Sequence, residues 1–333
     1  MVTAGVEKHN LMFGFKARTS REVFTEKTTF LLRLRDDENG REGVGEIPVF
    51  PSLQPSFTSW DAIEDDIREI AKIINKYILN PDLLPYNSAI RFGVESALAD
   101  LNRSSLKEPV NIRINGLIWM SDIDDMLGQI ETKLNQGFSC IKLKIGANDF
   151  DSEIDLIRTV RTTYGPNALE IRVDANGAFD DKDVLPMLER LSRLSVHSIE
   201  QPLSRDHKRM SELCRVSPLP IALDEDMIER WWEPERKAEW LARVSPQYIV
   251  VKPSLIGGFN AADNWIDIAD GLGIGWWCTS ALESNIGLTA IARWLTSRTD
   301  KDTRTHGLGT GQIYINNFQA PIRLEGEMLY LES

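Results

Sequence analysis

Six polar residues recur at an even spacing along the second half of the chain. They are Lys144, Asp174, Glu200, Asp224, Lys252 and Ser280, which lie 30, 26, 24, 28 and 28 residues apart. Each stands near the end of a short apolar segment of strand-like composition, and amphipathic stretches of helical spacing separate these segments. A (β/α)₈ barrel uses roughly 31 residues for each strand and helix. The spacing therefore predicts a barrel with one strand–helix unit per step.

The alternative architecture is an open, doubly wound parallel sheet. Such a sheet usually carries a glycine fingerprint in its first strand–helix turn, and the chain has none at the corresponding place. The barrel is therefore favoured from about residue 110 onward.

The first hundred residues follow a different pattern. Two predicted strands at 28–37 and 43–47 are joined by a turn rich in Asp, Asn and Gly. Helical apolar spacing follows at 60–78 and 88–103, and irregular loops are expected at 16–27 and 46–55. This segment predicts a separate α+β unit.

Composition excludes several classes of function. The net charge of −12 argues against a nucleic-acid partner, and no apolar run is long enough to span a bilayer or to form a signal peptide. The three cysteines, Cys140, Cys214 and Cys278, are odd in number and far apart, which suits free thiols in a reducing compartment. We therefore expect a cytoplasmic protein with a small-molecule partner and no membrane or nucleic-acid partner; the sequence leaves its oligomeric state open.

Polar side chains share one face on two of the predicted strands. Lys142 and Lys144 alternate with apolar residues, as do Arg172, Asp174 and Asn176. An isolated K-x-K is more often the solvent face of an amphipathic strand, but in a barrel both faces of a strand are covered. Polar groups then belong at the carboxyl ends of the strands, where barrel active sites are built.

The charges at these strand ends sort by sign. Asp174, Glu200 and Asp224 lie on three consecutive strands, and converging carboxylates repel unless a cation such as Mg²⁺ lies between them. Lys144 and Lys252 flank this trio on the strands before and after it. A metal beside two lysines suits removal of a proton next to a carboxylate, with a lysine as the base. Glu225 is expected on the opposite face of its strand.

Five motifs together resemble the enolase superfamily, in its muconate lactonising enzyme subgroup. They are KLK at 142–144, VDAN at 173–176, IEQP at 199–202, LDED at 223–226 and VVKPSLIGG at 250–258. The resemblance covers essentially the whole chain. It implies an α/β fold, a (β/α)₇β TIM-like barrel at 106–311, with an α+β capping domain formed by residues 1–105 and the returning tail 312–333.

The resemblance also implies roles for the residues at the strand ends. Asp174, Glu200 and Asp224 would hold Mg²⁺, with Mn²⁺ able to replace it, and Lys144 and Lys252 would form the acid/base pair. Lys142 would tune Lys144 through the proximity of two like charges. Supporting or substrate-contacting roles are expected for Arg172, Asn176 and Ser280.

Further segments resemble one dehydrating branch of the subgroup. They are FKARTSREVFTEKT, INGLIW, CTSALESNIGL and THGLGTGQIYINN. Members of that branch dehydrate 2-succinyl-6-hydroxy-2,4-cyclohexadiene-1-carboxylate on the route to menaquinone or phylloquinone. The loops at 16–27 and 46–55 would then close over the succinyl arm and exclude water.

Other activities use the same lysines and metal. Dipeptide epimerases of the subgroup carry an Asp-x-Asp on the last barrel strand, whereas this chain has THGLGTG there, without a carboxylate. Racemisation of N-acylamino acids stays open, and a muconate cycloisomerase is disfavoured by the loop sequences. A non-catalytic binding barrel would have lost one of the five core groups, and all five are present.

Two further features are expected to be structural. His306 is expected to be a structural histidine, and GLGTG at 307–311 is expected to end the last strand.

Overall fold

The capping segment is an antiparallel sheet packed on helices. The computed structural model describes residues 1–19, 22–103, 110–298 and 303–332 of the chain. The elements of the cap are β1 (Val2–Arg18), β2 (Val23–Asp36), β3 (Glu42–Ile47), α1 (Trp60–Lys72), α2 (Ile74–Leu79), a 3₁₀ turn (Pro81–Leu83) and α3 (Ser88–Leu101). The sheet order is β1-β2-β3. Both predicted strands and both predicted helical regions are confirmed.

The prediction of an irregular loop at 16–27 is wrong for most of that range. β1 and β2 form one long hairpin that pairs Ala17 with Phe24 and Arg18 with Val23, with an irregularity in register between Met12 and Ala17. Positions 20 and 21 of the predicted loop lie outside the described residues. The sequence pattern of β1 is a weak strand signal, because most of the strand is exposed and its register is irregular between Met12 and Ala17.

Local capping and close packing fix the helices of the cap. The Ser59 side chain accepts a hydrogen bond from the Ala62 amide at the start of α1, and Asn87 caps α3 in the same way. At Gly45 of β3, an added Cβ would lie 2.1 Å from the Gly93 carbonyl oxygen of α3. The absence of a side chain at position 45 therefore lets the strand backbone approach the helix closely.

Parallel strands alternate with helices from residue 116 onward. The strands are β5 (Gly116–Ile118), β6 (Cys140–Lys144), β7 (Glu170–Asp174), β8 (Ser198–Glu200), β9 (Ile221–Leu223), β10 (Tyr248–Val251) and β11 (Gly275–Cys278). The helices are α4 (Ile123–Asn135), α5 (Phe150–Thr163), α6 (Val184–Arg193), α7 (Met210–Val216), α8 (Pro234–Val244), α9 (Pro253–Ile256), α10 (Phe259–Gly271) and α11 (Asn285–Arg298). Hydrogen bonding links the strands in the order β11-β10-β9-β8-β7-β6-β5.

Two bridges close this curled sheet into a barrel. His306 pairs in parallel with Ile114, and Gly307 pairs in parallel with Thr279 just beyond β11. The buried ring of His306 accepts a hydrogen bond at Nδ1 from the Cys278 amide at 3.0 Å. The predicted barrel and the structural role of His306 are confirmed. The prediction that 307–311 ends a strand is wrong beyond Gly307, because Gly309–Gln312 forms a 3₁₀ turn.

The C-terminal tail touches both parts of the molecule. Tyr314 forms a bridge with Phe13 of β1. Farther on, β12 (Ile322–Glu325) pairs antiparallel with β13 (Met328–Leu331), which in turn pairs antiparallel with β4 (Val110–Arg113). The exact division into 1–105 with 312–333 and 106–311 stays a prediction.

The remaining composition-based expectations concern thiols and membranes. Cys140, Cys214 and Cys278 are free, as predicted, and the structure places all three in the buried interior. Within the described ranges, every helix is too short or too polar to cross a bilayer.

Candidate active site

Three carboxylates meet where β7, β8 and β9 end. Asp174 and Glu200 are the last residues of their strands, and Asp224 directly follows β9. Parallel pairing sets Asp174 beside Glu200, so the strand ends stay level. One carboxylate oxygen from each residue lies within 4.8 Å of the others, and all three side chains are almost completely buried. The barrel therefore gathers the predicted metal ligands into one cluster.

Lysines surround the carboxylates on both sides. Lys142 Nζ donates to Asp174 Oδ2 at 3.1 Å and to Glu200 Oε2 at 2.8 Å. Lys144 Nζ donates to the same Asp174 oxygen at 2.7 Å, and Lys252 Nζ donates to Asp224 Oδ2 at 2.6 Å. The predicted lysines thus lie on opposite sides of the carboxylate cluster. We call these six residues the charged floor.

Burial and charge act against each other in the floor. Burial would raise the pKa of Asp174, yet the ammonium groups of Lys144 and Lys142 hold that pKa well below its usual range. Burial raises the pKa of Glu200 to about 7; Lys142 opposes this shift, while Asp174 and Asp224 add to it. Burial would lower the pKa values of Lys142 and Lys252, but neighbouring carboxylates raise both.

Two oxygen atoms of the cluster fit a bound cation. Glu200 Oε1 and Asp224 Oδ1 are buried, and neither accepts a hydrogen bond from the residues that the structure describes. A buried acceptor without a partner is costly unless something else binds it. Carboxylate oxygens are the ligands that Mg²⁺ and similar hard cations prefer. Asp174, Glu200 and Asp224 are therefore suited to hold such an ion.

Asn176 and Ser280 border the same cavity as the lysines. Asn176, at φ +48°, accepts from Lys144 Nζ at 2.9 Å through Oδ1 and donates to Glu225 Oε1 at 3.1 Å. Ser280 Oγ donates to Glu283 at 2.6 Å and accepts from the Thr310 hydroxyl at 2.7 Å. Both residues line the cavity, and a substrate-contacting role for them stays a prediction.

The structure does not bring Arg172 to the cavity, so a direct substrate contact is not supported. Its guanidinium donates to Glu170 at 2.7 Å and to the Thr305 carbonyl at 3.0 Å, and lies 4.3 Å from the centre of the Trp277 ring. Arg172 precedes Asp174 by two residues on β7, so it belongs to a deeper layer of the barrel interior.

The expectation for Glu225 is wrong. β9 ends at Leu223, and Glu225 begins a 3₁₀ turn over Glu225–Met227. Strand alternation no longer applies there, and the buried Glu225 side chain turns toward the cavity beside Asn176. It is nevertheless not part of the three-carboxylate group.

The cavity above the floor encloses about 810 Å³ of empty space, including its open mouth. Its other walls are mainly apolar and neutral polar, and we call them the covering wall. They comprise Thr19, Glu22, Phe24, Phe50, Leu53, Asn115, Leu117, Trp119, Thr279, Ser280, Ala281, Leu282, Gly307, Gly309 and Thr310. The capping hairpin, the segment after β3 and the turns after β11 all contribute. Most of these residues were missed individually, although the prediction of two cap loops over the site pointed to the first five.

A buried barrel cluster of three carboxylates flanked by lysines defines a class of metal-dependent enzymes acting on carboxylates. The family model described as "Enolase C-terminal domain-like" matches residues 125–331. An o-succinylbenzoate synthase from Desulfotalea psychrophila is 40% identical over 97% of this chain and 97% of its own length. The chain therefore belongs to the enolase superfamily, and within it to the o-succinylbenzoate synthase family.

One solved structure agrees with this assignment, and a second shares the fold. The crystal structure of MenC from Desulfotalea psychrophila has a TM-score of 0.79, is 36% identical, and the match covers 98% of this chain and 99% of that one. A dipeptide epimerase from Cytophaga hutchinsonii, complexed with Mg and a dipeptide, has a TM-score of 0.82 at 20% identity, with 98% and 92% coverage. The second likeness concerns the fold alone.

Proposed function

We propose that this chain dehydrates 2-succinyl-6-hydroxy-2,4-cyclohexadiene-1-carboxylate to 2-succinylbenzoate, as a cytoplasmic step toward menaquinone or phylloquinone. The observation that carries the proposal is the placement of Lys144 and Lys252. Both line one cavity, and they contact opposite members of the carboxylate cluster. The 40% identity to an o-succinylbenzoate synthase supports this choice of reaction.

The reaction removes one molecule of water and makes the ring aromatic. Neutral Lys144 Nζ takes the proton from the ring carbon that bears the carboxylate, and the electrons of that C–H bond form an enediolate. The bond from the adjacent carbon to its hydroxyl oxygen then breaks. The leaving oxygen takes the proton from the Lys144 ammonium and departs as water. One lysine thus acts as base and then as acid on the same face of the ring.

The other lysines of the floor stabilise charge, and the neighbouring Asn176 orients Lys144. Lys252 stays protonated, and its positive charge stabilises the enediolate from the opposite side of the cavity. Asn176 Oδ1, 2.9 Å from Lys144 Nζ, restrains the direction of the amine. Lys142 keeps a second positive charge next to Asp174 and Glu200, and it acts on Lys144 through the proximity of two like charges.

Asp174, Glu200 and Asp224 would hold a Mg²⁺ ion, with Mn²⁺ able to replace it. The bound ion would supply positive charge toward the substrate carboxylate during proton removal. The two unpartnered oxygens, Glu200 Oε1 and Asp224 Oδ1, support this assignment. The Mg seen in the dipeptide epimerase of the same fold agrees with it.

The test compares two substrates with the same preparation. With Mg²⁺ present, the cyclohexadiene carboxylate should be converted to a product 18 mass units lighter, the mass of one water. N-succinylamino acids in D₂O should exchange their alpha proton far more slowly. Fast exchange without dehydration would contradict the synthase proposal and indicate racemisation, the alternative that shares these lysines.

A further inference from the structure

The turn between β11 and α11 forms part of the covering wall in a conformation that its sequence disfavours. Leu282 has φ +63°, in the left-handed region that branched L-residues rarely adopt. Ala281 and Leu282 both line the cavity. Such a conformation persists only where surrounding contacts impose it, and it is frequent at functional sites. Something must therefore hold this turn.

Lys27 of β2 holds the turn from the capping side. Its Nζ donates to the Ala281 carbonyl at 3.0 Å and to the Leu282 carbonyl at 2.9 Å. The Tyr314 hydroxyl donates to the same Leu282 oxygen at 2.7 Å. Glu283 holds the turn from within by accepting from Ser280 Oγ and from the Ala281 amide. The backbone of the turn is thus fixed by side chains from three separate segments.

Lys27 is an unusual residue at such a place. It is only 8% exposed, and within the described ranges its Nζ donates to the two backbone carbonyls rather than to a carboxylate. Burial lowers its pKa, while Glu283 and Glu46 oppose that shift from nearby. A buried ammonium that donates to two neutral carbonyls costs desolvation energy, so its retention calls for a specific role.

Lys27 also contacts a second part of the covering wall. Its Nζ lies 5.3 Å from the centre of the Phe50 ring, in the segment after β3. Phe50 and Ala281 belong to one buried apolar cluster, against which Leu282 packs. One side chain therefore ties the segment after β3 to the strained turn after β11.

We propose that Lys27 is a positioning residue that holds the turn Ser280–Glu283 in the shape that presents Ala281 and Leu282 to the substrate. This inference rests on the proposed function for its kinetic consequence. Lys27 is absent from the cavity lining and does not touch the charged floor. Its loss should therefore weaken substrate binding more than the chemical step.

The test begins with Lys27→Met, which keeps the length of the side chain and removes its donors. The loss of two charge-assisted hydrogen bonds predicts a KM for the cyclohexadiene carboxylate roughly tenfold higher, with kcat changed less than about threefold. Hydrogen exchange in the peptide containing the turn should also accelerate, a readout that needs no substrate.

Lys237→Met is the matched control. Lys237 is also 8% exposed and donates to a neutral oxygen, Asn264 Oδ1 at 3.1 Å, but it lies between α8 and α10. Its removal should lower thermal stability and leave KM unchanged. Equal increases of KM in both variants would overturn the proposal, because the effect would then be a general loss of stability.

A second background tests the link to backbone strain. Asparagine tolerates the left-handed region better than leucine does. In the Leu282→Asn background, Lys27→Met should therefore raise KM less than about threefold relative to Leu282→Asn alone. An undiminished tenfold effect would contradict a role for Lys27 in holding the strained residue.

The outcomes separate the inference from the proposed function. If the wild-type protein turns over substrate and folded Lys27→Met has an unchanged KM, the inference fails alone. If the wild-type protein shows no turnover, the proposed function fails, and hydrogen exchange of the turn still tests whether Lys27 holds it.

Should Lys27→Met not fold, Tyr314→Phe removes the other donor to Leu282. This variant should also raise KM, by a smaller factor. An unchanged KM in Tyr314→Phe would contradict the proposal.

Discussion

The charged floor and the covering wall of the cavity are built in opposite ways. The floor uses six ionisable side chains at or near the carboxyl ends of regular barrel strands, all buried and joined by short hydrogen bonds. The covering wall is mostly apolar and hydroxyl-bearing, and it comes from a hairpin, turns and loops far apart in sequence. One of its residues, Leu282, has a left-handed backbone conformation.

This difference separates chemistry from recognition. Rigid strand ends keep ionisable groups within hydrogen-bonding distance of one another, which proton transfer requires. Turns and cap segments can change shape and sequence without moving those groups. Substitutions in the floor should therefore affect kcat and metal binding, whereas those in the covering wall should mainly affect KM.

The largest effect is expected at Lys144. Lys144→Ala removes the base and should lower kcat at least about a thousandfold, since positioned acid–base groups contribute 10²–10⁴-fold. Its circular dichroism spectrum and metal affinity should match those of the wild type. A rate close to that of the wild type would contradict the assignment of the chemical step to the floor.

The next effect concerns the metal ligands. Glu200→Gln replaces an anionic oxygen ligand with a neutral amide, so Mg²⁺ affinity measured by calorimetry should fall at least about tenfold to a hundredfold. Glu225→Gln serves as the control, because Glu225 borders the cavity but lies outside the three-carboxylate group. Equal losses in both variants would mean that the ligand set is misassigned.

A smaller effect is expected in the covering wall. Leu53→Ala removes apolar contact from the cavity lining and should raise KM roughly fivefold to tenfold, with kcat almost unchanged. The same substitution at Leu79, a leucine of α2 that is 86% exposed, should change neither constant. A large fall in kcat for Leu53→Ala would contradict the expectation that the covering wall mainly affects KM.

The smallest effect concerns pH and the loop that follows Lys144. Glu153 accepts hydrogen bonds from the Gly146 and Asn148 amides, and burial raises its pKa to about 7 from an ordinary value of 4.5. Because the pKa of Glu153 is higher in the folded state than in the unfolded chain, protonation of this carboxyl stabilises the fold. The stabilisation is complete below pH 4.5 and is lost as the pH rises through 7.

The measurement compares thermal unfolding of the wild type and Glu153→Gln between pH 5 and pH 8. The wild type should lose up to about 3 kcal/mol more stability over this range, since one pKa unit corresponds to about 1.4 kcal/mol. Parallel pH profiles for the two proteins would show that Glu153 does not titrate there.

The two regions also differ in how far the sequence predicts them. The floor follows from local rules: strand alternation sets the faces, and regular strand–helix spacing brings the carboxyl ends together. Glu225 was misplaced because a 3₁₀ turn replaced the strand one residue after β9. For Arg172, strand alternation predicts the correct face but not the depth in the barrel, so it does not separate a supporting role from a substrate contact.

The covering wall depends on contacts between distant segments. Lys27 contacts Ala281 and Leu282, which lie 254 and 255 residues away in the sequence. No local pattern signals such a contact, and position 27 falls in the predicted loop at 16–27 rather than in a predicted strand. β1 was missed for a similar reason, because its pairing with β2 rather than its own pattern makes it a strand.

The most direct test of the account follows the diene absorbance of the cyclohexadiene carboxylate with purified wild-type protein. We predict rapid loss of absorbance with Mg²⁺, arrest by excess EDTA, and recovery when Mg²⁺ is restored, with 2-succinylbenzoate as the product. A folded, metal-loaded protein that leaves the diene unchanged, or one that consumes it equally fast with EDTA, would contradict the account.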